Sequence, residues 1–369
     1  MPRTLDSKFH IDNIVDQFGA DLDADKVKAY CSNHEVGYQT ITKYLNQFKT
    51  KRGHWKVTVK EAKRQLEKTL EKSNVGIAKT TVQAENLVPA KDDTFIKFGA
   101  FPDLKKVIAS RLFYPVFITG MSGNGKTFGV EQACNQTNRE LIRVNITVET
   151  DEDDLIGGFR LVNGETVWHN GPVIEALERG AILLLDEVDL ASNKILCLQS
   201  ILEGKGVFLK KIGEYVKPTA GFTVVATANT KGKGSDDGRF IGTNVLNEAF
   251  LERFPITFEQ AYPTPKTENR ILRALCEQLN IPMIGEHEDF IVHLCSWAEI
   301  VRKTFSEGGV DEIISTRRLT HIMKAYSIFG DKMKAVDLCL NRFDDETKES
   351  FRQLYTKLDP TVTITPETE

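Results

Sequence analysis

The chain has 369 residues, with 48 Lys and Arg set against 52 Asp and Glu for a net charge of −4. That length suits two or three domains with real cores, and 41% hydrophobic with 27% charged residues is ordinary for a soluble globular protein. The slight acidity argues against general polyanion binding but leaves room for a local basic patch. The absence of an apolar run long enough for a membrane, of a signal peptide at Met1, and of paired CxxC motifs among six cysteines points to a cytoplasmic chain with reduced thiols.

In chain order, residues 1–75 are polar and helix-prone. Val36-Gly-Tyr-Gln-Thr-Ile-Thr-Lys-Tyr-Leu45 followed by Lys49–Val59 predicts a short helix, a turn at Gly37, another helix and a strand, a small α-rich, helix-turn-helix-like module. Residues 43–68 carry nine Lys or Arg against two Glu, with Tyr38, Tyr44 and Trp55 interleaved. Two readings stand side by side there: a protein-docking module with a basic face, and a nucleic-acid contact. Residues 76–94 lose periodicity and read as a linker.

From 95 to 260 short apolar runs alternate with helical segments, the pattern of a parallel α/β sheet. Strands are predicted at Val116–Thr119, Leu141–Ile146, Ala181–Leu185, Phe222–Thr227 and Ile256–Phe258. Residues 261–358 read as all-helical, with helices over 267–279, 289–304, 315–329, 332–341 and 346–357. Residues 359–369 lack helical pattern and read as a loose tail.

The first predicted strand runs into Gly120-Met121-Ser122-Gly123-Asn124-Gly125-Lys126-Thr127. Strand, glycine-rich loop and helix in that order form a phosphate cradle: the glycines let consecutive N–H groups turn inward, and the helix start adds its positive dipole end. Lys126 would reach the β/γ oxygens of a nucleotide and the Thr127 hydroxyl would ligate Mg²⁺.

A second apolar run ends in Asp186-Glu187. Alternation along a strand sends the two side chains to opposite faces, so Asp186 would hold Mg²⁺ while Glu187 polarises the attacking water. A third run ends in Asn229, whose amide would orient that water; alone, an Asn after a strand is more often a turn residue. All three strand ends would meet at one sheet edge, where ligands of open α/β sheets sit. Arg253 is either a surface arginine paired with Glu248 or Glu252 or a guanidinium reaching a neighbouring subunit's phosphate. Arg317 and Arg318 open a helix against its macrodipole, for nucleotide contact or for salt bridging.

Together these residues resemble the AAA+ ATPases, and within them the MoxR lineage, over roughly residues 95–330. Glu149–Arg160 with Asn163–Pro172, and Gly206–Pro218, resemble the two hairpins of that lineage; Trp168 and His169 there are equally readable as packing and surface residues. Lys231–Asn247 looks most like the small ATPase subunit of aerobic cobaltochelatase, a type that tailed phages also carry. The resemblance implies a P-loop α/β core, a parallel sheet flanked by helices, and a C-terminal all-α lid. It also implies a homo-oligomeric, hexameric ring binding ATP and Mg²⁺ between subunits. Carried over residue by residue, Gly120–Thr127 bind nucleotide, Thr127 and Asp186 hold the metal, and Glu187 and Asn229 act in cis. Arg253 matches the trans-acting finger and Arg317 the lid arginine, with a register open by one residue. The lineage remodels separate partners, commonly ones with a von Willebrand factor A domain; a DNA-associated motor or loader using the basic N-terminal module is the alternative.

Overall fold

The computed structural model describes residues 7–18, 21–34, 36–56, 85–234 and 242–362. The first part of the linker reading (76–84), the end of the N-terminal module (57–75), residues 235–241 and the tail from 363 lie outside the described residues. The chain divides into two compact units, Met1–Lys79 with Gly164–Val167 and a larger one of Thr80–Asn163 with Trp168–Glu369.

The N-terminal unit runs α1 (Ser7–Phe18), β1 (Asp21–Asp23), α2 (Ala24–Asn33), α3 (Tyr38–Leu45), β2 (Lys49–Lys51) and β3 (His54–Lys56). Its strands form an antiparallel sheet in the order β1-β3-β2, one strand preceding the helix pair and two following it. Asp23 starts α2 by accepting from the N–H groups of Asp25 and Lys26, a side-chain cap of the usual kind. Ile14, Val27, Tyr30, Ile41, Leu45 and Trp55 close a small core.

The larger unit opens with residues 85–94, read from sequence as linker but bound along the core. Leu141 N–H donates to Leu87 O at 3.1 Å, and Asn135 Nδ2 to Pro89 O at 2.9 Å. Then follow α4 (Phe101–Ser110), β4 (Val116–Thr119), α5 (Lys126–Gln136), β5 (Leu141–Asn145), α6 (Glu152–Leu155) and the hairpin β6 (Gly157–Val162) and β7 (Glu165–Asn170). Next come α7 (Pro172–Arg179), β8 (Ile182–Asp186), α8 (Gln199–Leu202), a second hairpin of β9 (Val207–Leu209) and β10 (Glu214–Val216), β11 (Thr223–Ala228), α9 (Glu248–Leu251) and β12 (Ile256–Glu259).

Five of these strands form one parallel sheet in the order β12-β4-β11-β8-β5. Strand alternation feeds two cores. Val116, Ile118, Ile182, Leu184 and Val225 pack under α4 and α5, while Phe117, Leu183, Leu185, Val224 and Ala226 pack on the other face with Val173, Ile174 and Leu177 of α7. Each of these Val, Ile, Leu and Phe side chains contributes about 1.5–3 kcal/mol on burial, enough to fix strand register against a one-residue slip. The α/β core with its sheet flanked by helices is the class expected from the sequence.

The C-terminal portion is helical: α10 (Pro265–Gln278), α11 (Glu286–Ser306), α12 (Thr316–Phe329), α13 (Lys332–Leu340) and α14 (Asp345–Leu358). Phe290, Trp297, Leu319, Met323, Phe351 and Tyr355 fill its core. Asp359, where the sequence reading begins a loose tail, is instead fully buried: it accepts from Tyr355 Oη at 3.0 Å and from Thr361 Oγ1 at 2.6 Å. No described helix is long and apolar enough to cross a membrane.

Candidate nucleotide site

Strands β4, β11 and β8 are neighbours in the sheet, so their C-terminal ends deliver the phosphate loop, Asn229 and Asp186 to one place. A cavity of about 760 Å³ opens there, lined among others by Ser122–Thr127, Asp186, Glu187, Asn229 and Arg317.

The loop depends on glycine where neighbours approach most closely. Gly120 has φ +149, and a Cβ on it would stand 2.2 Å from Gln260 O; Gly123 has φ +72, and its Cβ would stand 2.7 Å from Ser315 Oγ. Neither position has room for a side chain. The loop is therefore clamped between the end of β12 on one side and the start of α12 on the other. Arg317 N–H donates to Gly123 O at 3.2 Å, and Tyr262 Oη to Ser122 O at 2.6 Å. Two residues of the helical lid thus hold carbonyls of the phosphate loop itself.

Lys126, at the first position of α5, donates from Nζ to Gly120 O at 2.5 Å, Met121 O at 3.0 Å and Asn229 Oδ1 at 3.2 Å. Burial lowers its pKa from 10.5 to about 8, against the opposing pull of Asp189 and Asp186. Thr127 Oγ1 donates to Asp186 Oδ1 at 2.9 Å. A hydroxyl and a buried carboxylate this close are an oxygen-only donor pair, which suits a hard cation such as Mg²⁺. Thr227 also donates to Asp186 Oδ1.

Glu187 departs from the strand-alternation expectation. Strand β8 ends at Asp186, and Glu187 turns into the left-handed region at φ +59. Both residues border the same cavity, with Glu187 set there by this turn rather than by strand alternation. A left-handed non-glycine residue carries backbone strain, and such strain gathers where a side chain must be aimed.

Four features were not read from the sequence. Asp189 is fully buried and accepts from the N–H groups of Asn229 and Thr230, both at 2.9 Å. It thereby fixes the turn carrying Asn229. Arg143, on β5, donates from Nη2 to Asp186 Oδ2 at 2.5 Å. Phe95, Ile96, Phe98, Ile271 and Leu275 form an apolar end to the cavity. Behind the lid contact, fully buried Glu268 accepts from Arg302 at 2.7 Å and from Thr316 Oγ1 at 2.6 Å, anchoring the start of α12.

The two arginines at that start separate. Arg317 lines the cavity, whereas Arg318 donates to Cys339 O and lies over the Phe343 ring at 4.8 Å. Arg253 is not among the cavity's residues. It pairs with Glu203 at 2.7 Å, a partner the sequence reading did not name in place of Glu248 or Glu252, and donates to Ala249 O.

Residues 115–254 match the family model described as AAA domain (dynein-related subfamily). An uncharacterised protein of Staphylococcus haemolyticus is 31% identical over 243 residues, spanning 63% of this chain and 86% of that protein. The chain is an AAA+ ATPase. The aerobic cobaltochelatase subunit CobS of Sinorhizobium sp is 27% identical over 222 residues, spanning 58% of this AAA+ chain and 66% of that protein, just under two thirds of its length. Midasin of Dictyostelium discoideum is 28% identical over 210 residues, 56% of this chain and 3% of that much longer protein.

Proposed function

We propose that this AAA+ chain is a Mg²⁺-dependent ATPase that works in the cytoplasm as a hexameric ring of identical subunits. The ring remodels a separate partner protein bearing a von Willebrand factor A domain. The observation that carries the catalytic part is the meeting of Lys126, Asp186 and Asn229 at the ends of three adjacent strands around one cavity.

In this reading ATP lies with its phosphates on Gly120–Thr127 and its base against Phe95, Phe98 and Leu275. Thr127 and Asp186 are the residues that would hold Mg²⁺, which when bound neutralises charge between the β- and γ-phosphates. Glu187, aimed into the cavity by its left-handed backbone, takes the proton of the attacking water. Asn229, held by Asp189 from behind and bonded to Lys126, orients that water and contacts the γ-phosphate. Arg317 brings a cation from the lid. The Gly123–Arg317 backbone bond gives the lid a direct grip on the loop, so a change at the phosphates is felt by the helical portion. Arg253 stands outside its own cavity and is steadied by Glu203, which supports its use on the nucleotide of a neighbouring subunit.

The likeness to the Sinorhizobium protein supports a narrower version in which the ring drives a cobaltochelatase-like metal insertion, with the chelating subunit on another chain. A second reading, a DNA-associated motor or loader, is favoured by the basic N-terminal unit.

Glu187→Gln tests the catalytic assignment, because it keeps size and backbone while removing the base. Steady-state turnover is expected to fall about 10²–10⁴-fold with ATP affinity within a few-fold of wild type. Equal turnover in the two proteins would remove Glu187 from the mechanism.

A further inference from the structure

From Tyr38 to Lys56 the sequence holds Lys43, Lys49, Lys51, Arg52 and Lys56 and no Asp or Glu, whereas β1 and the first turn of α2 hold Asp21, Asp23 and Asp25. The separation holds along the sequence; in the sheet Asp21 and Asp23 of β1 stand opposite Lys56 and His54 of β3, so the acid-free basic surface is α3, β2 and the turn at Arg52. Folding places the basic residues on α3 and on the hairpin that directly follows it.

Ile41 and Leu45 turn one face of α3 into the core, with Phe48 and Trp55 behind them. The opposite face carries Gln39 and Lys43, four residues apart, and Asn46 follows directly after the helix; all three are exposed. Along the hairpin Lys49, Thr50 and Lys51 are exposed, Gly53 turns the chain at φ +77, and His54 and Lys56 flank the buried Trp55. None of the five cations forms an ion pair among the described residues.

We propose that the N-terminal unit binds double-stranded DNA. Helix α3 enters the major groove and the β2–β3 hairpin lies against the phosphate backbone.

The second helix of a helix-turn-helix is the element that reads base edges, and the outward face of α3 carries the side chains suited to it. Gln and Asn pair bidentately with adenine and Lys with guanine, while flanking cations position the helix on phosphates. The aromatic residues decide against other partners. Trp55 is buried, and Tyr38 and Tyr44 pack against the same core, so the basic face offers no aromatic anchor of the kind that dominates protein interfaces. The same absence on this face removes the stacking platform that single strands require. Duplex RNA has a major groove too narrow for a helix.

The test uses the full chain without nucleotide, so it stands whether or not the ATPase reading holds. Fluorescence anisotropy is followed on a labelled DNA duplex of about 24 base pairs, with single-stranded DNA of the same length and polyglutamate as competitors. Affinity is expected to fall with salt at a log–log slope of about −4, the value for four to five phosphate contacts. Lys51→Glu should weaken binding at least tenfold at about 50 mM salt, with thermal unfolding unchanged. Lys357→Glu, the same change of net charge on exposed α14, should weaken it less than twofold. Gln39→Ala and Lys43→Ala should narrow the preference between duplexes of different sequence. No duplex binding at that salt overturns the proposal. So does equal loss from Lys51→Glu and Lys357→Glu. Competition by polyglutamate as effective as by duplex would identify an acidic protein as the partner instead, and equal competition by single-stranded DNA would exclude groove docking.

Discussion

The two units of this chain use cations in opposite ways. Around the nucleotide cavity Lys126 and Arg143 are drawn onto carbonyls and carboxylates: Lys126 touches Gly120 O, Met121 O and Asn229, and Arg143 reaches Asp186. In the N-terminal unit Lys43, Lys49, Lys51, Arg52 and Lys56 stand in solvent with apolar neighbours turned inward. A partly buried, pre-bonded cation is costly to place and can be exchanged only for a ligand that replaces its partners in detail, which suits one small anion in one pose. An array of exposed cations costs little to place and binds a long polyanion by releasing its counterions. The contrast supports different ligands for the two units and does so independently of any sequence motif.

The largest expected effect separates the units outright. Lys126→Ala should weaken ATP binding at least a hundredfold, since it deletes a desolvated charge partner worth about 2–5 kcal/mol, while duplex affinity measured without ATP stays within twofold. Arg253→Ala should keep ATP binding and lose about 10³-fold in turnover. Mixing the two inactive proteins should restore activity, because some subunit joints then combine an intact Lys126 with an intact Arg253. If no mixing ratio rescues turnover, Arg253 does not act across a joint, and the site is confined to one chain.

The sequence was informative where one residue type at one spacing has few uses. Glycines flanking Lys126-Thr127 after an apolar run specify a loop that nothing else requires, and the buried strands show as apolar runs because both faces of a parallel sheet are covered. The order β12-β4-β11-β8-β5 was not legible, since crossover connections leave strand adjacency open. Asp189 was missed because an aspartate after a strand usually caps a solvated turn; only the fold buries it beneath Asn229. The place of Glu187 beside Asp186 at one cavity depends on a φ value that alternation does not anticipate. Phe95 and Phe98 were hidden in a segment adjoining non-periodic sequence. In the N-terminal unit three-residue strands are too short to show a period, and the sequence showed Tyr38, Tyr44 and Trp55 only as interleaved with cations, not that Trp55 is buried and the tyrosines pack against the core.

A middle-sized effect probes how far burial makes the nucleotide site rigid. Asp189→Ala leaves two N–H groups, the buried one of Thr230 and the part-buried one of Asn229, without their acceptor. Each costs about 1–3 kcal/mol, so the protein should lose about 2–5 kcal/mol of stability in denaturant unfolding. Because Asn229 loses its support, kcat should fall about tenfold or more with KM for ATP little changed. Asp189→Asn, which retains one acceptor oxygen, should recover part of both. A loss of stability with kcat intact would make Asp189 a structural residue only.

The smallest effect follows from the buried state of Lys126 and has a definite sign. Its pKa is lowered by desolvation from 10.5 to about 8, so the nucleotide-free protein loses this proton as pH rises through about 8. Phosphates require the cation, and binding above that pH must be accompanied by proton uptake. ATP affinity should be level below pH about 7 and then decline, approaching tenfold per unit between roughly pH 8 and 10. Stability runs the other way: in that interval the unfolded lysine keeps its proton while the folded one has shed it, so the free protein gains stability as pH rises from about 8 toward 10.5. Opposite slopes for affinity and stability in one pH window distinguish Lys126 from general alkaline damage, which lowers both. Lys126→Arg should abolish the inflection in affinity, because a guanidinium stays charged throughout. An affinity curve that is level through pH 9 in the wild type would mean that Lys126 is as well solvated as the lysines of the N-terminal hairpin, and the contrast between the two units would lose its physical basis.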